Sequence, residues 1–116
     1  MKNQILHNPR CSKSRAALEL LNQREVDVAV VDYQQNPPGK DELREILRLL
    51  DKKPLEVIRV NDGLFSELGL AEDNGYSDEQ WLDVLAAHPG LLERPIVIYN
   101  GKAAIGRPIE NVMAIL

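Results

Sequence analysis

Cys11 is the only cysteine in this 116-residue chain, and it sits in the stretch HNPRCSKSR, residues 7–15. Its neighbours Arg10, Ser12, Lys13 and Arg15 are too polar for a core position. A short strand and a proline loop precede it and a helix follows, so its sulfur points at helix N-terminal amides. Those amides and the surrounding cations favour thiolate over thiol and lower the pKa. The same place suits an anion, because helix N-termini bind anions readily. Ser14 stands three residues on, where a dithiol redox motif would carry its second sulfur.

Three residues around the cysteine have supporting roles. His7 ends the strand, either as a hydrogen-bonded structural histidine or as an imidazolium that further stabilises the thiolate. Asn8 is suited to hold the loop backbone through its side chain. Ser14 either donates its hydroxyl to the sulfur or caps the helix, roles that are compatible.

Three arginines extend the set: Arg59 in EVIRVND, Arg94 in LERPIV and Arg107 in IGRPIE. Taken singly, each reads as a solvated surface charge. Arg94 and Arg107, however, bracket a hairpin, each immediately before a proline. The two ends of a hairpin lie at the same side of a sheet, so the two guanidiniums are placed to converge. Planar forks of donors suit a tetrahedral oxyanion. Other chemistries lack their residues: the chain has no CxxC, no HExxH, no paired Cys/His spacing and no glycine-rich phosphate loop. With three tyrosines, one phenylalanine and one tryptophan, it also has no base-stacking platform.

The elements that must position these residues follow from the pattern along the chain. Residues 4–7 read as a first strand and residues 14–24 as a helix burying Ala17, Leu18 and Leu21. VDVAVVDY, residues 26–33, is β-branched and reads as a second strand, stopped by QQNPPG. A helix over residues 40–51 carries Asp41 and Glu42 in its first turn and a Leu43, Ile46, Leu47, Leu50 stripe. Pro54 breaks it. A short helix over residues 62–68 ends at Gly69. Residues 77–88 form a further helix, opened by Ser77 and Gln80 at capping-box spacing, with Trp81, Leu82 and Leu85 facing inward. His88 stands at its C-terminal end. Residues 95–106 form a hairpin around the type I′ signal Asn100-Gly101. Pro108 suits the first turn of a closing helix whose apolar stripe is Ile109, Val112, Met113 and Leu116.

The order is thus β-α-β, a helical stretch, a β-hairpin and a final helix. This predicts an α/β, thioredoxin-like fold: a mixed four-stranded sheet flanked by helices, with a helical insertion between strands 2 and 3. Such folds place a cis proline beside the active loop, and Pro95 is the candidate. Length and the absence of a linker predict a single domain over residues 1–116. A net charge of -4 and a pI of about 5.2 argue against a general nucleic-acid or acidic-membrane binder. A lone cysteine, no apolar run of membrane-span length and no signal peptide predict a cytoplasmic protein. With no evident exposed apolar stripe, a monomer is expected.

Taken together, HNPRCSKSR, QQNPPGKDEL, IRVNDGLFSELGLAED, HPGLLERPIV and GRPIENV resemble the ArsC family, the glutaredoxin-coupled arsenate reductases, in order along essentially the whole chain. The resemblance implies a thioredoxin-like fold with a helical insertion. It implies Cys11 as nucleophile, His7, Asn8 and Ser14 as its support, and Arg59, Arg94 and Arg107 as the oxyanion-binding set. It also implies arsenate and glutathione as small-molecule substrates, glutaredoxin as protein partner, and neither a metal nor a bound organic cofactor. Two other classes fit parts of the pattern. Spx-type regulators resemble ArsC proteins and bind RNA polymerase, but they usually carry the CxxC switch that Ser14 precludes here. A monothiol glutaredoxin-like thiol transferase fits the Cys11-to-Ser14 spacing and leaves the three arginines unexplained.

Overall fold

A computed structural model describes all residues, 1–116. Four strands, β1 (Gln4–His7), β2 (Ala29–Asp32), β3 (Ile96–Tyr99) and β4 (Lys102–Ile105), form one sheet in the order β2-β1-β3-β4. β1 and β2 are parallel, whereas β1/β3 and β3/β4 are antiparallel. The helices are α1 (Ser12–Gln23), α2 (Lys40–Leu50), α3 (Gly63–Glu67), α4 (Asp78–Ala87) and α5 (Glu110–Met113). This is the mixed sheet of a thioredoxin-like fold, with a helical insertion between β2 and β3. No helix is long and apolar enough to cross a membrane.

The chain divides into two compact units, Met1–Asn36 with Arg94–Leu116, and Pro37–Glu93. The first contains the sheet. Ile5 of β1, Val97 of β3 and Ala104 of β4 share one sheet face and pack with Ala17 and Leu21 of α1 and Val112 of α5. Strand alternation turns Leu6, Ile96 and Ile98 to the opposite face, where they are also buried.

The second unit is the insertion. Leu43, Ile46 and Leu47 of α2 and Trp81, Leu82 and Leu85 of α4 supply its core. Phe65 of α3 stacks on Trp81 with ring centroids 6.0 Å apart. Lys40 pairs with Glu79 and Asp83 across the exposed surface of α2 and α4, and Arg44 pairs with Glu79. Exposed pairs of this kind contribute little to stability, so apolar burial holds the two helices together. Ser77 and Gln80 close the expected capping box at the start of α4.

Several boundaries differ from the sequence reading, each for a local reason. α1 begins at Ser12 rather than residue 14, with Cys11 itself as N-cap. It closes through Glu25 at φ 56°, with the Val26 N–H donating to Leu21 O and the Glu25 N–H to Asn22 O. These are the two bonds of a Schellman motif. Val26 is thereby spent on ending the helix, and β2 starts only at Ala29. α2 ends in the same way, with Asp51 left-handed at φ 55° and the Lys52 N–H on Leu47 O. Pro54 opens a 3-10 turn, Pro54–Val57. The last helix starts at Glu110 rather than at Pro108 and spans only four residues. So short a helix turns Val112 inward but leaves Met113 39% exposed. Asn100 (φ 49°) and Gly101 (φ 78°) make the β3–β4 turn left-handed at both positions, as type I′ requires. The Arg94–Pro95 peptide is cis, and so is Arg107–Pro108.

Candidate active site at the end of the sheet

Strand register decides which residues meet. His7, the last residue of β1, pairs with Asp32, the last of β2. At the same end Leu6 pairs with Ile96, the first residue of β3, and Ile96 pairs with Ile105, the last of β4. All four strands therefore finish or begin together. The residues just beyond them, the 8–11 loop, Tyr33, Arg94 and Arg107, emerge at one end of the sheet.

The 8–11 loop is tied down from several sides. The Cys11 N–H donates to Asn8 O at 3.0 Å. Asn8 Oδ1 accepts from the Arg10 N–H at 3.0 Å, and the Arg15 guanidinium donates to Pro9 O at 2.9 Å. Ser14 is fully buried. Its hydroxyl accepts from the Asn8 N–H at 2.9 Å and lies 2.6 Å from His7 Nδ1. The hydroxyl thus neither caps α1 nor faces the sulfur; the backbone amide of Ser14 does the latter.

His7 is buried, and burial disfavours its cation. That effect, with repulsion from Arg15, outweighs attraction to Asp32 and the Ser14 contact, so its pKa lies below the ordinary histidine value. Of the two forms that the sequence left open, the imidazolium is therefore disfavoured. With the ring neutral, the Ser14 O–H is free to donate to Nδ1 while Oγ accepts from the Asn8 N–H, the arrangement in which the ring proton is on Nε2. His7, Ser14 and Asn8 form one buried clamp that fixes the loop presenting Cys11.

Cys11 is partly exposed. Arg107 Nη2 donates to its Sγ at 3.2 Å, while Arg107 Nε donates to Arg94 O at 2.7 Å. Burial by itself pushes the thiol pKa up. The Ser14 amide, the Arg94 guanidinium, the Lys13 amide and the Arg107 charge together overcome it, so the pKa falls below the ordinary thiol value. Burial likewise opposes the charge on Arg94, but its bonding to Cys11 and Tyr33 prevails and holds its pKa up.

Gly106 fixes the other side of the site. Its N–H donates to Pro95 O at 2.9 Å. A Cβ at this position would stand 2.7 Å from Pro95 Cγ and 3.3 Å from Cδ, so only glycine lets β4 approach Pro95 this closely. The flanking residues, Arg94 and Arg107, are the two that meet at Cys11.

Arg59 belongs to the insertion. Its Nη1 donates to Asp62 Oδ2 at 2.8 Å, and Asp62 Oδ1 caps α3 by accepting from the Leu64 N–H. Its backbone N–H bonds Leu91 O. Tyr33 is the residue that the sequence reading passed over; the one available signal was its place as the last residue of a strand-like run. No group of three or more His, Cys, Asp or Glu side chains is arranged to hold a metal.

A thioredoxin-like sheet that presents one activated cysteine to two arginines defines a class of thiolate proteins. The comparisons narrow the class. The ArsC family matches residues 6–115, and the chain belongs to that family. It is 50% identical over 113 residues to the arsenate reductase of Neisseria meningitidis serogroup A, covering 97% of this chain and 96% of that protein. It is 44% identical over 113 residues to the uncharacterized protein YfgD of Escherichia coli K12, again over 97% of this chain. Among solved structures, the arsenate reductase from Vibrio cholerae matches with a TM-score of 0.90 at 37% identity, over 100% of both chains.

Proposed function

We propose that this protein is an arsenate reductase that uses glutathione and glutaredoxin. The observation that carries the reading is the approach of two guanidiniums to one thiol: Arg107 at 3.2 Å from Cys11 Sγ, joined by Arg94. A single activated thiol under paired cations is suited to attack a tetrahedral oxyanion. Family membership and the names of the relatives supply the element. Cys11 thiolate attacks arsenic and displaces one oxygen, which leaves protonated as water, giving a cysteine–arsenate adduct. Arg94 and Arg107 neutralise the oxygens as charge shifts in the transition state. Arg59 is assigned to the same task by its family motif.

Glutathione thiolate then adds to arsenic with loss of a second oxygen as water. Glutaredoxin thiolate attacks the glutathione sulfur and leaves as a mixed disulfide. The electron pair of the arsenic–sulfur bond stays on arsenic, which passes from As(V) to As(III), and hydrolysis of the Cys11–arsenic bond releases arsenite. The second and third sulfurs come from outside, which accounts for a chain with one cysteine. No bound metal or organic cofactor takes part, and the protein acts as a cytoplasmic monomer.

The test is NADPH consumption coupled through glutathione reductase. Turnover should require arsenate, glutathione and glutaredoxin together and should disappear in Cys11→Ser. Undiminished turnover in that variant, or turnover supported by thioredoxin and indifferent to glutathione, would overturn the scheme.

A further inference from the structure

Tyr33 is an aromatic residue of 0% exposure, one position beyond β2. The parallel register of β1 and β2 carries it to the sheet end where Arg94 and the Cys11 loop also emerge. Its hydroxyl and the Arg94 Nε are both buried atoms, and the Tyr33 side chain meets the Arg94 guanidinium there. A guanidinium carries five donors and no acceptor, so in a hydrogen bond between the two groups the phenol oxygen is the acceptor. Arg94 also bonds the Cys11 sulfur, and its carbonyl is held by Arg107 Nε at 2.7 Å. Its main chain is thus fixed from one side, and its head group faces both a thiol and a phenol.

A buried tyrosine needs no partner of this kind merely to fill space; phenylalanine would occupy the same volume. A flexible arginine beside a reactive sulfur does need one. Without an acceptor behind it, the head group has several rotamers to choose from, and the cost of ordering it falls on the bound state.

We propose that Tyr33 is the positioning residue of Arg94: its buried hydroxyl holds one edge of the guanidinium so that the remaining donors stay on the Cys11 sulfur and on an incoming tetrahedral oxyanion. The proposal rests on the oxyanion reading of the site, and its test does not depend on turnover.

The experiment uses the full chain. Tyr33→Phe keeps the volume and removes only the acceptor. Two quantities are read: the pH midpoint of Cys11 alkylation by iodoacetamide, and the arsenate or sulfate concentration that halves the alkylation rate. Tyr33→Phe should raise the midpoint and raise the protecting concentration about fivefold, the scale of one typical net hydrogen bond. The same substitution in an Arg94→Ala background should leave the midpoint where Arg94→Ala alone puts it. Unchanged values in Tyr33→Phe, or an equal shift in both backgrounds, would overturn the proposal, because a purely structural tyrosine does not act through Arg94.

A measurement on the unmutated protein serves if the variant is too unstable. With the three tyrosines labelled at Cζ, a sulfate titration should move the Tyr33 resonance and leave those of Tyr76 and Tyr99 in place. A stationary Tyr33 signal at saturating sulfate would count against the assignment. Intact coupling without arsenate reduction would sustain the Tyr33 role while removing the reductase reading.

Discussion

Arg107 holds two partners at once: Nη2 on Cys11 Sγ at 3.2 Å and Nε on the carbonyl of Arg94 at 2.7 Å. One side chain thus fixes both the reactive sulfur and the backbone that carries the second cation. Arg107→Ala should therefore do more than remove a charge. Its loss should raise the Cys11 pKa modestly, since the sulfur is partly exposed and solvent screens the pair. The pH profile of iodoacetamide alkylation reads this directly. A profile identical to that of the unmutated chain would show that the contact contributes nothing to the thiolate.

Ser14 separates two possible kinds of support. Its hydroxyl is engaged by His7 and Asn8, whereas its amide faces the sulfur. Ser14→Ala leaves the Asn8 N–H and His7 Nδ1 without that partner in a fully buried place. The expected cost is about 1–3 kcal/mol, seen as a lower midpoint in urea. The Cys11 alkylation midpoint should move much less, because the amide remains. A large shift in alkylation with unchanged stability would reverse this assignment.

The sequence made the sheet end legible through Cys11, Arg94 and Arg107. Their motifs stand at strand boundaries, and strand boundaries are where a β-α-β unit and a hairpin come together. The Asn100-Gly101 turn and the Ser77/Gln80 box were readable because each depends on neighbours in the chain. Helix ends at Glu25 and Asp51 were not, since left-handed non-glycine caps leave no strong mark in composition. The direction in which the Ser14 hydroxyl points was equally hidden. At helix position three a serine can turn back to the preceding loop as easily as to the sulfur, and the choice depends on His7 being buried beside it. Tyr33 escaped notice because a tyrosine at the end of an apolar strand looks like core until the register places Arg94 next to it.

Gly106 tests how closely the hairpin must approach Pro95. Gly106→Ala places a methyl 2.7 Å from Pro95 Cγ, so either the proline ring or β4 must shift. Overpacking of this kind costs about 1–3 kcal/mol. The displacement falls between Arg94 and Arg107, so anion protection of Cys11 should weaken along with thermal stability. Wild-type protection at a temperature where the variant is fully folded would show that the two arginines tolerate movement of the hairpin end.

His7 sets a pH dependence whose sign is fixed by burial. Its folded pKa lies below the ordinary value of 6.5. Between the folded pKa and 6.5 the unfolded chain binds more protons at this position, so stability rises with pH across that window. The contribution of neutral His7 is fully present above 6.5 and is lost as pH falls towards the folded pKa. Comparing the unmutated chain with His7→Gln removes the other titrating groups from the comparison. The difference in melting temperature between the two should be largest above neutrality and should shrink on acidification from pH 7.5 to about 5.5, the range over which an unperturbed histidine takes up its proton. A difference that grew on acidification would mean that the folded state prefers the imidazolium. The Ser14 O–H would then have to give up Nδ1 as its acceptor, and the buried clamp behind Cys11 would carry a positive charge.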